Sequence, residues 1–274
     1  DTAMLIRIGY DIRFELAQDV SFLTLLRVHA SRQKDLRSPD DILTDPFTPV
    51  EDYRDSFGNI CSRFLARSGP LSLRTDVVIE DSGQPDPVAP DAPEIALTKL
   101  PPETLRFLIS SRYCEVDLLS TVAFELFGHV QPGWPRVEAI CSWVNTHVAF
   151  DYARTRATKT ALDVYTERVG VCRDFQHLAI TFCRALNIPA RYAAGYLGDI
   201  GIVLPPAPMD FSAWFEAWLG DRWWTFDARH NIPRIGRVLM ATGRDAADAA
   251  ITTTFGPAKL TGFTVVSDEI RDQP

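Results

Sequence analysis

Two residues of this chain have types and settings suited to nucleophilic acyl chemistry, Cys172 and Asp227, and position 212 lies where a third partner would be needed. Cys172 sits in Gly170-Val171-Cys172-Arg173-Asp174-Phe175-Gln176-His177-Leu178-Ala179. From there Phe175, Leu178, Ala179, Phe182 and Leu186 recur at helical spacing and mark one buried face. Gly170 breaks what precedes and Asn187-Ile188-Pro189 ends the run, so Cys172 falls in or just before the first turn. Unpaired backbone N–H groups and the positive end of the helix dipole stabilise a thiolate there, which sharpens sulfur as a nucleophile. Most free cysteines are instead small buried hydrophobes, and on position alone both readings stand open. Cys61, Cys141 and Cys183 take the second reading, and Cys114 has no informative context.

Asp227 belongs to a hairpin. Phe211 to Leu219 alternates, Gly220-Asp221 is a two-residue turn signal, and Arg222 to Asp227 returns. In that register Leu219 faces Arg222, Trp214 faces Asp227 and Ser212 faces Arg229. Position 212 and Asp227 are then diagonal neighbours on one face, the geometry of a base and the residue that orients it. Taken alone, Asp227 reads more readily as an ordinary strand-end or turn residue.

These residues need a scaffold. Residues 6–16 alternate, with Ile6, Ile8, Tyr10, Ile12, Phe14 and Leu16 apolar between polar or small neighbours, which predicts a half-buried strand. Phe22 to Ala30, Ile60 to Ala66 and Leu71 to Ile79 are further strand candidates, and Ser31 to Asp55 reads as a long loop. Together they predict an antiparallel sandwich over 1–82. Residues 83–97 hold a linker whose stretch from Gly83 to Pro93 carries four prolines, which can neither donate ladder bonds nor continue a helix. Residues 98–274 form the second domain. It opens with predicted helices over Glu103 to Ser110, from Asp117 or Ser120 towards Phe127, from Pro135 onward, and from Thr160 to Arg168 with Thr160 as cap. Ala190 to Tyr196 reads as a strand.

Composition limits the partners. Hydrophobic residues make up 46% and charged residues 23%, as in folded globular proteins, and the net charge of −8 disfavours nucleic acid or an anionic membrane. No run approaches a membrane span. Five scattered cysteines and the absence of a leader at Asp1 predict reduced thiols in a cytoplasmic protein. No Cys-x-x-Cys, His-Glu-x-x-His, phosphate-binding or calcium-loop motif occurs, so no metal or nucleotide cofactor is expected.

The blocks Gly170 to Phe175, Arg184-Ala185-Leu186-Asn187-Ile188-Pro189-Ala190-Arg191-Tyr192, Gly195-Tyr196, Ala213-Trp214-Phe215-Glu216 and Trp223-Trp224-Thr225-Phe226-Asp227 resemble the transglutaminase-like superfamily, over roughly residues 100–260. Its bacterial cysteine-protease-like members are the closer match. The N-terminal β region resembles the bacterial transglutaminase N-terminal domain, and Asn231 to Gly256 resembles the tail of that group. The resemblance implies an α+β fold: an N-terminal antiparallel β-sandwich, then a papain-like transglutaminase core with a central helix packed on an antiparallel sheet. It implies Cys172 as nucleophile attacking a peptide or glutamine carboxamide through a thioester, and Asp227 as the orienting acid. The family's histidine, however, is replaced by Ser212, and serine cannot take up the thiol proton near neutral pH. No other histidine is an evident substitute. His230 pairs with position 211 in the predicted register and points to the wrong side. His177 is about 140° round the helix from Cys172. His147, His29 and His129 read as surface or hydrogen-bonded residues, and Glu216 lies two pleats away. Arg173 reads equally as a thiolate partner or a surface ion pair, and Trp214, Trp218, Trp223 and Trp224 more as sheet packing than as a groove. Two functions follow: a cysteine hydrolase of weakened or lost activity, or a non-catalytic peptide- or protein-binding module on the same fold.

Overall fold

A computed structural model describes residues 3–205 and 207–271. The first six strands are β1 (Met4–Leu16), β2 (Val20–Thr24), β3 (Leu43–Asp45), β4 (Glu51–Arg54), β5 (Ile60–Ala66) and β6 (Gly69–Asp81). The alternation of residues 6–16 is realised in β1, where Ile6, Ile8, Tyr10, Ile12, Phe14 and Leu16 are buried and Arg7, Arg13 and Glu15 are exposed. The strand read over Phe22 to Ala30 is shorter, because the chain leaves the sheet after Thr24. Within 31–55 lie a 3-10 turn and the two short strands β3 and β4, too brief to show a period.

The next elements are α1 (Val116–Phe127), α2 (Trp134–His147), β7 (Ala149–Phe150), α3 (Ala161–Glu167), β8 (Val169–Gly170) and α4 (Cys172–Ala185). Residues Pro102–Phe107 form a 3-10 turn where the sequence suggested a helix. Thr160 caps α3 in a full capping box with Asp163. Then come β9 (Ala190–Leu197), β10 (Ser212–Leu219), β11 (Arg222–Phe226), β12 (Arg237–Gly243), β13 (Thr252–Phe255) and β14 (Lys259–Ile270).

The central sheet has the order β11-β10-β9-β12 and is antiparallel. Helix α4 packs on it: Phe175, Leu178, Ala179 and Phe182 share a cluster with Ala194, Ala213, Phe215 and Ala217. The sandwich sheets have orders β14-β1-β6-β3 and β13-β2-β5-β4. Residues 98–274 therefore do not all lie in the core, since the last two strands return to pair with β1 and β2. Pairing partners some 250 residues apart leave no local signal in the residues themselves. The two units also share apolar packing: Tyr196, Val238 and Met240 of the core sheet cluster with Ile6, Ile8 and Phe22. Asn59 adds polar pins, donating to Thr242 O at 2.7 Å and accepting from Thr242 N at 2.9 Å.

Candidate active site

Cys172 is the first residue of α4. The chain is brought to that point by the parallel bridge of β7 with β8, which pairs Phe150 with Gly170. Asp174 then closes the first turn: its Oδ2 accepts from Val171 N at 2.9 Å and from Thr155 Oγ1 at 3.1 Å. A Cβ at Gly170 would stand 2.5 Å from Asp174 Cβ, so only glycine lets the carboxylate fold back there. Glycine and aspartate together fix where the sulfur lies.

The hairpin has the register read from its turn, with Leu219 opposite Arg222 and Phe215 opposite Phe226, and Gly220 at φ 64°. On the other side Ser212 pairs with Gly195. Ala213 and Phe215 are buried with α4, so by alternation Ser212 shares its face with Trp214 and Glu216 instead. Trp214 is buried over Gly195, Trp218 packs edge-on to Trp223 at 5.4 Å, and Trp224 packs on Trp134 at 5.7 Å, so these rings are sheet packing.

Asp227 follows β11 and is buried with both oxygens occupied. Oδ1 accepts from Gln176 Nε2 at 3.0 Å, Arg229 N at 2.9 Å and His230 N at 3.1 Å. Oδ2 accepts from Arg237 Nη2 at 3.1 Å and lies 3.0 Å from His230 Nδ1. Burial alone would raise this carboxyl, but the His230 hydrogen bond and the Arg237 guanidinium outweigh it and hold the group well below the usual carboxylate range. Gln176 also donates to Ala213 O at 3.2 Å and accepts from Ala228 N at 3.1 Å, tying Asp227 to α4 one turn beyond Cys172.

His230 is the site residue the sequence reading misplaced. The alternation was carried past Phe226, where β11 ends. Beyond it the chain turns, with Asn231 N donating to Asp227 O at 2.8 Å, and residue 230 swings back to the carboxylate. The Asx-turn chemistry of Asp227 was the available signal. His177 lies on the far side of α4, buried and stacked on Tyr113, with Nε2 accepting from Ala246 N at 3.1 Å. His147 stacks on Trp143 and His29 caps a 3-10 turn.

Cys172 is a half-buried thiol. Burial pushes it up to about 12, Asp227 and Asp210 push in the same direction, and Arg229 opposes them. The helix terminus does not offset that burial. Arg173 is turned away: its Nη2 donates to Arg156 O at 2.8 Å and its guanidinium lies over Tyr113 at 5.2 Å. Arg229 is the cation that favours a charged sulfur. Among the described residues no three His, Cys, Asp or Glu side chains converge as a metal site.

Residues 120–228 match the sequence model of the transglutaminase-like superfamily. The crystal structure of a "putative cysteine protease" from Cytophaga hutchinsonii superposes with a TM-score of 0.86 at 31% identity, covering 100% of this chain and 93% of that one. The chain belongs to the transglutaminase-like superfamily. An uncharacterized protein of Mycobacterium leprae is 26% identical over 218 residues, 76% of each chain. Cys172 and Asp227 both lie within the matched span, and Gln176, one turn after Cys172, holds Asp227.

Proposed function

We propose that this transglutaminase-like protein is a cysteine hydrolase that cleaves peptide or glutamine amide bonds. Cys172 Sγ adds to the carbonyl carbon, the amine leaves, and water hydrolyses the thioester. The observation that carries this reading is the half-exposed Cys172 at the first turn of α4, one helical turn from the Gln176 that holds the buried Asp227. Backbone N–H groups of that turn are the donors for the oxyanion. Hydrolysis is favoured over amine transfer by the likeness to a protein described as a cysteine protease. The test is an acyl adduct. Incubation with p-nitrophenyl acetate and with a glutamine-containing peptide library is expected to leave a hydroxylamine-sensitive acyl group on Cys172, absent in Cys172→Ala. A wild-type protein that never acylates and never turns over peptides overturns the proposal.

A second reading has its own support. Ser212 stands in place of a base and burial keeps Cys172 protonated, the properties of a cleft that binds a peptide or protein segment without cleaving it. In that case Cys172→Ala retains a partner as tightly as wild type does, and Cys172 alkylates like any buried thiol.

A further inference from the structure

The superfamily's histidine position is serine here, yet the acid that would orient a histidine already holds one. His230 Nδ1 lies 3.0 Å from Asp227 Oδ2. A carboxylate only accepts, so Nδ1 carries the proton and Nε2 is left with a lone pair. Nε2 makes no hydrogen bond to the protein among the described residues, and the side chain is 20% exposed. His177 and His147 bond backbone groups and stack on aromatic rings, and His29 bonds Ser31.

The turn that carries His230 is held by α2 and lies beside the first turn of α4. Asn145 Nδ2 donates to Ala228 O at 3.3 Å and to Arg229 O at 2.9 Å. The Arg229 guanidinium lies over Phe150 at 4.1 Å and over Phe175 at 5.7 Å, and Phe175 belongs to the same first turn as Cys172. Cys172 feels the charges of both Asp227 and Arg229, the residues flanking this turn. Asp227 thus has Cys172's helix on one oxygen and an imidazole on the other.

We propose that His230, oriented by Asp227, is the general base and acid for Cys172, a histidine moved along the chain to replace the one absent at position 212. The proposal rests on the cysteine-hydrolase reading. In the first step Nε2 takes the Sγ proton as the S–C bond forms and the carbonyl π pair moves to oxygen. The pair returns, the C–N bond breaks and the Nε2 proton goes to the leaving amine. Water then adds to the thioester with its proton passing to Nε2. The C–S bond breaks, and the imidazolium proton returns to sulfur. The charged groups at this imidazole are Asp227, which it contacts, and Arg237 from β12, which reaches the same carboxylate oxygen and is itself paired with Asp86 of the linker.

The test is the pH profile of Cys172 alkylation by iodoacetamide, followed by mass spectrometry on the full chain. Wild type is expected to show a rising limb that follows loss of a proton from an imidazole. His230→Gln is expected to lose that limb and to react roughly 100-fold more slowly at pH 7. Ser212→His in the His230→Gln background is expected to restore it. A His230→Gln protein with the wild-type profile overturns the proposal. If that variant does not fold, the wild-type fold supplies the readout. The NMR titration of His230 must then shift when Cys172 is replaced by alanine, and coincident curves overturn the proposal. A wild type that shows the imidazole limb but never acylates defeats the hydrolase reading and leaves the Asp227–His230–Cys172 relay standing.

Discussion

The two ends of α4 both bury charge, and they do so in opposite styles. Near the C-terminal end Arg184 is fully buried and every guanidinium nitrogen is spent. Nε donates to Ala190 O at 3.0 Å, Nη1 to Ile109 O and Ser111 Oγ at 3.1 Å each, and Nη2 to Arg244 O. Its acceptors are neutral and come from three separate segments. That end is closed, and its function is to join segments. At the N-terminal end Asp227 is equally saturated, but its neighbours keep something in reserve: a half-buried cysteine and a ring nitrogen with a free lone pair. Buried polar groups with no leftover capacity hold a fold together, whereas leftover capacity beside a saturated anchor is what chemistry requires.

The contrast is open to attack by substitution. The largest effect is expected at the closed end. Arg184→Ala leaves several buried carbonyls without donors and should cost about 3–5 kcal/mol in urea unfolding; a loss below about 1 kcal/mol would erase the contrast. Asp227→Asn should cost about 2–3 kcal/mol at pH 7, because an amide nitrogen would face donors. Its carboxyl is held below the ordinary value of 3.8. The charged form's contribution is therefore complete above that pH and is lost as pH falls through the folded-state value. The gap between wild type and Asp227→Asn should narrow in unfolding curves taken below about pH 4, and a gap that widens there would show the carboxylate is not stabilising. The smallest effect is expected at the reserve itself: Cys172→Ala should stay within about 1 kcal/mol of wild type, and a larger loss would make Cys172 a packing residue.

Much of this site could be read from residues alone. Gly170 and the apolar spacing from Phe175 to Leu186 located Cys172 at a helix start, and Gly220-Asp221 set the hairpin register that the structure has. Thr160 marked the α3 cap. Each is a local rule acting over a few residues. The misses are places where a local rule ran out. Strand alternation does not apply to His230, because β11 has ended. Dipole reasoning at Cys172 did not include the desolvation and the two carboxylates that raise its pKa. The return of β13 and β14 to the sandwich depends on partners on the other side of the core.

That return has a consequence for biosynthesis. β1 lies between β6 and β14, and its last neighbour is paired as far as Leu5 with Ile270. A ribosome makes β1 before the whole of the core and β14 after it, so one edge of a 13-residue strand with one apolar face waits unpaired while the core is synthesised. Folding of the sandwich is completed only after the core sequence has emerged. A chain that stops before β14 carries its site but leaves β1 as an open edge, the kind of surface on which nascent chains aggregate and on which chaperones act.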